Sequence, residues 1–133
     1  MTPVVVLDTN VLISAYVFGG GPAALMRAAI TGHLTLVTSP TLLAELARIF
    51  ADKFLWDHER VEAVVLQIAR IATIVRPETR VDVIAHDADN RVLEAAMAGS
   101  ATIIVSGDRH LLALGSHEEV RILTVAEAIA VPS

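Results

Sequence analysis

A chain of 133 residues fits one domain, 1–133. With 54% hydrophobic residues and a mean hydropathy of +0.61, it can bury a substantial core and carry an apolar oligomer surface. The net charge of −5 argues against broad nonspecific binding to nucleic acid, and the lack of cysteine excludes disulfides and thiolate metal sites.

No apolar run approaches the roughly 18 residues needed to span a bilayer, so no membrane association is expected. The first residues are not basic, and Asp8 and Asn10 interrupt the first apolar stretch, so no signal peptide is expected. A reducing cytoplasm suits such a chain. Nine of the ten basic residues are arginines, and Arg91, Arg109 and His110 lie close in sequence to acidic clusters. A divalent cation held by carboxylates would also reverse the local sign of charge.

Taken in chain order, Val4–Leu7 is a short apolar run that reads as a buried parallel strand ending on Asp8. Gly19–Pro22 breaks the chain, and Pro22 suits the first turn of a helix over Ala23–Ile30, stopped by Gly32. No Lys-Ser/Thr follows "GGGP", so a flexible turn is the reading there rather than a phosphate loop. Leu34–Thr38 is the next strand, and Ser39 or Pro40 opens a helix through Ala51. His58–Ala72 is a longer helix with apolar residues near helical period. Thr73–Val75 is a short strand stopped by Pro77. Asp87–Ala98 is a helix ended by Gly99, Thr102–Val105 a strand, and Arg109–Leu114 a short helix. Val120–Leu123 is an edge strand, and Thr124 caps a last helix to Ala130. Alternating strands and helices predict an α/β fold, a mostly parallel central sheet flanked by helices on both faces. Ligands bind such sheets beyond the carboxyl ends of the strands.

Asp8 and Asp108 both lie just past strand ends, so a parallel sheet brings them to one edge. A turn cap alone would account for each. In "PTLLAELARIF", Leu42, Leu46, Ile49 and Phe50 form an apolar stripe, and Glu45 falls beside it rather than at the centre of the polar face. Val92, Leu93 and Ala96 follow Asp89 by three, four and seven residues, so Asp89 shares the buried face of its helix. An unpaired buried charge is costly, and a metal ion offsets it. Asp87 reads as the helix N-cap. Converging carboxylates suit Mg²⁺ or Mn²⁺, and such a site would hydrolyse a phosphodiester. Asn10 and Ser106 are placed to orient a carboxylate or a water. The histidines (His33, His58, His86, His110, His117) fit no ligand motif and default to the surface. Arg91 and Arg109 are candidates for phosphate contacts, with surface solvation or structural ion pairing as the alternatives. Trp56 either anchors a helix junction in the core or lines a groove for a partner.

Four stretches, "VLDTNVLISAYVFGG", "LVTSPTLLAELARIF", "DADNRVLEAAMAGSATIIVSGDRHLLAL" and "VRILTVAEAI", together resemble PIN-domain proteins, in family order and over nearly the whole chain. The likeness is to the subgroup of toxin components of toxin–antitoxin systems related to the VapC toxins. It implies a PIN-like α/β/α fold and an Mg²⁺- or Mn²⁺-dependent endoribonuclease. Asp8, Glu45, Asp89 and Asp108 match the family's catalytic, metal-binding acids. Asn10, Ser106 and Asp87 match supporting positions. It also implies RNA as substrate and a small antitoxin as partner. The apolar composition and the Phe54–Trp56 segment add an expected homo-oligomer. Two other classes fit less well. A haloacid-dehalogenase-type phosphotransferase needs an aspartate where Asn10 stands. A receiver domain needs a late lysine, and the only lysine is Lys53. A non-catalytic binding module is disfavoured by four retained acids.

Overall fold

The computed structural model describes residues 2–131. Strand β1 (Val4–Leu7) leads into helices α1 (Thr9–Val17) and α2 (Gly20–Ile30). β2 (Thr35–Thr38) leads into α3 (Pro40–Asp52) and α4 (His58–Ile71). β3 (Thr73–Ile74) is followed by α5 (Asp87–Ala98), and β4 (Ile103–Val105) by α6 (Arg109–Leu114). A hairpin of β5 (Ser116–His117) and β6 (Val120–Leu123) precedes α7 (Val125–Ile129).

The six strands form one sheet in the order β3-β2-β1-β4-β6-β5. All neighbours are parallel except β5, which runs antiparallel to β6. The expected edge strand Val120–Leu123 is therefore covered, and the two-residue β5 takes the edge. Period-2 alternation splits the core in two. Val5, Leu7, Ile103 and Val105 pack with α1, α2, α3 and α4 on one face. Val6, Val37, Ile104 and Ile122 pack with α5 and α6 on the other. The expected mostly parallel sheet with helices on both faces is what the chain forms.

Local chemistry places the helix starts. Ser39 Oγ accepts from the Leu42 amide, and Pro40 takes the first helical position. Asp57 caps α4, and Thr124 with Glu127 forms a capping box on α7. Helix α1 has no counterpart among the expected elements. Its consecutive Val11, Leu12 and Ile13 are all buried, packed against the sheet, α2 and α3. A run of three consecutive buried apolar residues shows little amphipathic period. Among the described residues no single helix is long and apolar enough to cross a bilayer, and α1 and α2 meet at 100°.

Trp56 takes the first of its two expected places. Its ring stacks on Phe50 with centroids 4.0 Å apart and planes at 9°. The Arg60 guanidinium lies 3.6 Å from the ring centroid. Both cannot fit on one side, so Trp56 is sandwiched between a core phenyl ring and a cation. Leu55 beside it stands 82% exposed with φ +56°.

Gly99 ends α5 without entering the left-handed region, with φ −93°. Its role is close packing, since a Cβ there would lie 2.5 Å from Val37 Cγ1. Gly99→Ala is expected to cost about 1–3 kcal/mol of stability, read from the urea midpoint. An unchanged midpoint would show that the contact between α5 and β2 yields freely.

The chain builds β1, β2 and β3 outward in one direction, then crosses to place β4 on the other side of β1. The carboxyl ends of β1 and β4 thus flank a topological switch point, where crevices open in parallel sheets.

Candidate metal centre

Leu7 is in register with Val105, and the Asp8 amide donates to the Val105 carbonyl at 3.1 Å. Whatever follows the two strands must therefore be neighbours, and these residues are Asp8 and Ser106. Ser106 donates its hydroxyl to Asp8 Oδ2 and accepts from the Asp108 amide at 2.9 Å. The other oxygen, Asp8 Oδ1, accepts from the Val11 amide at 2.9 Å and so caps α1. Asp8 is both a helix cap and a wall of the cleft. It is only 5% exposed. Burial pushes its carboxyl up to about 6, the Ser106 and Val11 hydrogen bonds pull it down, and the charges of Asp108 and Asp89 add to the rise.

Asp89 lies in the first turn of α5, buried on the face it shares with Val92, Leu93 and Ala96, as its spacing predicts. Burial raises its pKa, the bond to His86 opposes the rise, and Asp108 adds to it. Asp108 caps α6, accepting from the His110 amide at 2.8 Å and the Leu111 amide at 3.2 Å. Burial pushes Asp108 upward, but the amide donors outweigh it and hold the carboxyl below its ordinary value. Glu45, half-buried on α3, lines the same narrow cleft as Asp8, Asp89 and Asp108, a space of about 40 Å³ with Asn10 at its exposed edge. A wider hollow of about 390 Å³ beside Arg76–Thr79 contains none of these acids.

Not every expected residue joins the cleft. Asp87 is the first residue of α5 rather than its N-cap, a position that His86 takes. Its side chain is 71% exposed and pairs with Arg91 at 3.3 Å and Arg80 at 3.8 Å. The Arg91 side chain is only 11% exposed. It donates to the Val81 carbonyl at 2.9 Å, and its Nε lies 2.9 Å from Glu94 Oε1, an ion pair in which the N–H is not aimed at the oxygen. Arg91 thus makes structural ion pairs, one of the alternatives expected for it. Arg109 is exposed beside Asp108 at the start of α6.

His86 fits no ligand motif and is expected at the surface, where it is found. It is 60% exposed, but it lines the acid cleft, with Nδ1 3.1 Å from Asp89 Oδ2. The segment that delivers it is pinned by two residues the sequence did not single out. Buried Asn90 accepts from the Val83 and Ile84 amides, each at 3.0 Å, and donates to the Ile84 carbonyl at 2.7 Å. Glu94 accepts from the Val81 amide at 2.8 Å. Asn90→Ala would strand two amides and a carbonyl, and is expected to cost about 2–4 kcal/mol in a urea titration. A loss below about 1 kcal/mol would mean the segment rearranges without strain.

The donor set is rich in oxygen. Three of its carboxylates come from buried or partly buried aspartates, and their mutual repulsion is what a divalent cation offsets. The residues present fit such an ion. A family model described as "PIN domain" matches residues 4–110. "Uncharacterized protein MJ1680" of Methanocaldococcus jannaschii is 29% identical over 115 residues, covering 83% of this chain and 74% of that protein. PIN domains bind divalent metals and are generally nucleases. With that match spanning most of the chain, on a mostly parallel sheet with acids gathered at its switch point, this chain belongs to the PIN domain family.

Proposed function

We propose that the cleft is the centre of an Mg²⁺- or Mn²⁺-dependent endoribonuclease, the toxin of a toxin–antitoxin pair. The observation that carries the hydrolytic reading is the convergence of Asp8, Glu45, Asp89 and Asp108 from separate elements on one cleft. Asp8, Asp89, Asp108 and Glu45 would hold the cation. When bound, it supplies Lewis acidity, lowering the pKa of water and offsetting phosphate charge. Ser106 fixes the rotation of Asp8 through one hydroxyl bond and ties it to the Asp108 backbone through another. Asn10, at the open edge, presents an amide to the phosphate or to the attacking water. Arg109, exposed beside Asp108, would meet a neighbouring phosphate.

The preference for RNA, the toxin role, the small antitoxin and the cytoplasmic setting rest on likeness to the toxin-type PIN sequences. RNA and DNA of one sequence, end-labelled and incubated with Mn²⁺, test the substrate. RNA should be cut internally and DNA left whole; equal cutting of both would overturn the assignment. Induced wild type should arrest growth while Asp8→Asn does not. Unaffected growth with intact cleavage in vitro would assign the protein to RNA processing instead. Self-association is expected from the exposed Phe18 and Leu55 in an apolar chain, and sedimentation showing only monomer at micromolar concentration would count against it.

A further inference from the structure

We infer that His86 is a nitrogen ligand of the centre which, with Asp89 and Asp108, shifts its preference from Mg²⁺ toward Mn²⁺. The inference rests on reading the cleft as a metal centre. Each of the three residues offers one ligand atom, and these atoms all lie within 4.8 Å of one another. Cis ligands on an ion with bonds of about 2.1 Å sit about 3 Å apart. The His86 Nδ1 to Asp89 Oδ2 distance of 3.1 Å already matches that spacing.

The imidazole is delivered on a fixed backbone. His86 directly precedes α5, and the segment before it is tied to that helix by Asn90 and Glu94. Its ring makes no capping bond to α5, so helix capping does not explain why it faces the acids. Chemistry then sets the consequence. Carboxylates alone accept Mg²⁺ and Mn²⁺ alike, whereas imidazole adds affinity for transition metals and little for Mg²⁺. A simple hydrogen bond from His86 to Asp89 would instead orient the carboxylate and raise or lower both affinities together.

Pulsed EPR of Mn²⁺ bound to the full chain, with Mg²⁺ affinity measured by competition, separates the cases. Wild type should show nitrogen coupling to Mn²⁺, and His86→Ala and His86→Gln should lose it. The Mn²⁺ dissociation constant should rise at least about tenfold in both variants, and that for Mg²⁺ less than about threefold. The side chain is 60% exposed, so both variants should melt close to wild type. Mn²⁺ bound without nitrogen coupling, or an unchanged ratio of the two affinities in the variants, would overturn the inference and leave the metal centre standing. Coupling that survives His86→Ala but vanishes in His110→Ala would also overturn it, since the His110 ring lies 6.4 Å away. Failure of wild type to bind Mn²⁺ saturably, or undiminished binding by Asp89→Asn, would bring down the metal-centre reading and this inference with it.

Discussion

Asp8→Asn is expected to lower RNA cleavage by roughly three orders of magnitude, the scale of a lost electrostatic contact at a reacting centre, while the metal-free protein becomes more stable. The asparagine keeps the cap, because its carbonyl can accept from the Val11 amide as Asp8 Oδ1 does. What it removes is the charge. Burial and the nearby Asp108 and Asp89 raise the Asp8 pKa from 3.8 to about 6, a penalty on the ionised form of about 3 kcal/mol. Altered bonding to Ser106 takes back part of this, leaving an expected gain of about 1–3 kcal/mol. The sign with pH follows from linkage. The folded pKa lies above the unfolded one, so between 3.8 and about 6 the native state holds more protons. Stability from this group therefore falls as pH rises through that window. The advantage of Asp8→Asn should be full above about pH 7 and vanish below about pH 4. Mn²⁺ should raise the melting temperature of wild type and do so less in the variant. A destabilised, fully active variant would mean that Asp8 is a cap and nothing more.

Asp108 permits a sharper separation of cap from site. Asp108→Asn keeps an acceptor for the His110 and Leu111 amides, and Asp108→Ala removes it. Both should lose about a hundredfold or more in cleavage. Alanine should lose about 1 kcal/mol more stability than asparagine, through the uncapped start of α6. The folded pKa of Asp108 is lowered, so its ionised form stabilises the fold above the unfolded value, and that contribution disappears as pH falls through the folded pKa. The stability difference between wild type and Asp108→Asn should shrink accordingly in acid. An active asparagine variant beside an inactive alanine variant would reassign Asp108 to helix capping.

Four acids were legible because each carries a local sign of where it points. Asp8 and Asp108 follow apolar runs that can only be buried strands, and the parallel sheet then aligns their ends. The three-, four- and seven-residue spacing from Asp89 to its apolar neighbours places it inward, where it is found. Glu45 lies at the boundary of an apolar stripe and is half-buried there. What escaped had no such sign. Helix α1 buries three consecutive residues, Val11, Leu12 and Ile13, and so shows little amphipathic period. The hairpin before β6 turns without Gly or Asn, through Glu118 at φ +53°, so β5 went unmarked. His86 approaches Asp89 and Asp108 only because Asn90 and Glu94 fold the preceding segment back on α5, a tertiary arrangement with no local pattern. The burial of Arg91 follows from the same folded-back segment, since its guanidinium bonds the Val81 carbonyl.

The most direct test of the hydrolytic centre is cleavage of one end-labelled RNA by the purified wild-type protein, with Mn²⁺ and with excess chelator, beside Asp8→Asn. Internal cuts should appear only for wild type with Mn²⁺, because the acids alone cannot activate water. Equal cleavage by wild type in excess chelator would contradict the account.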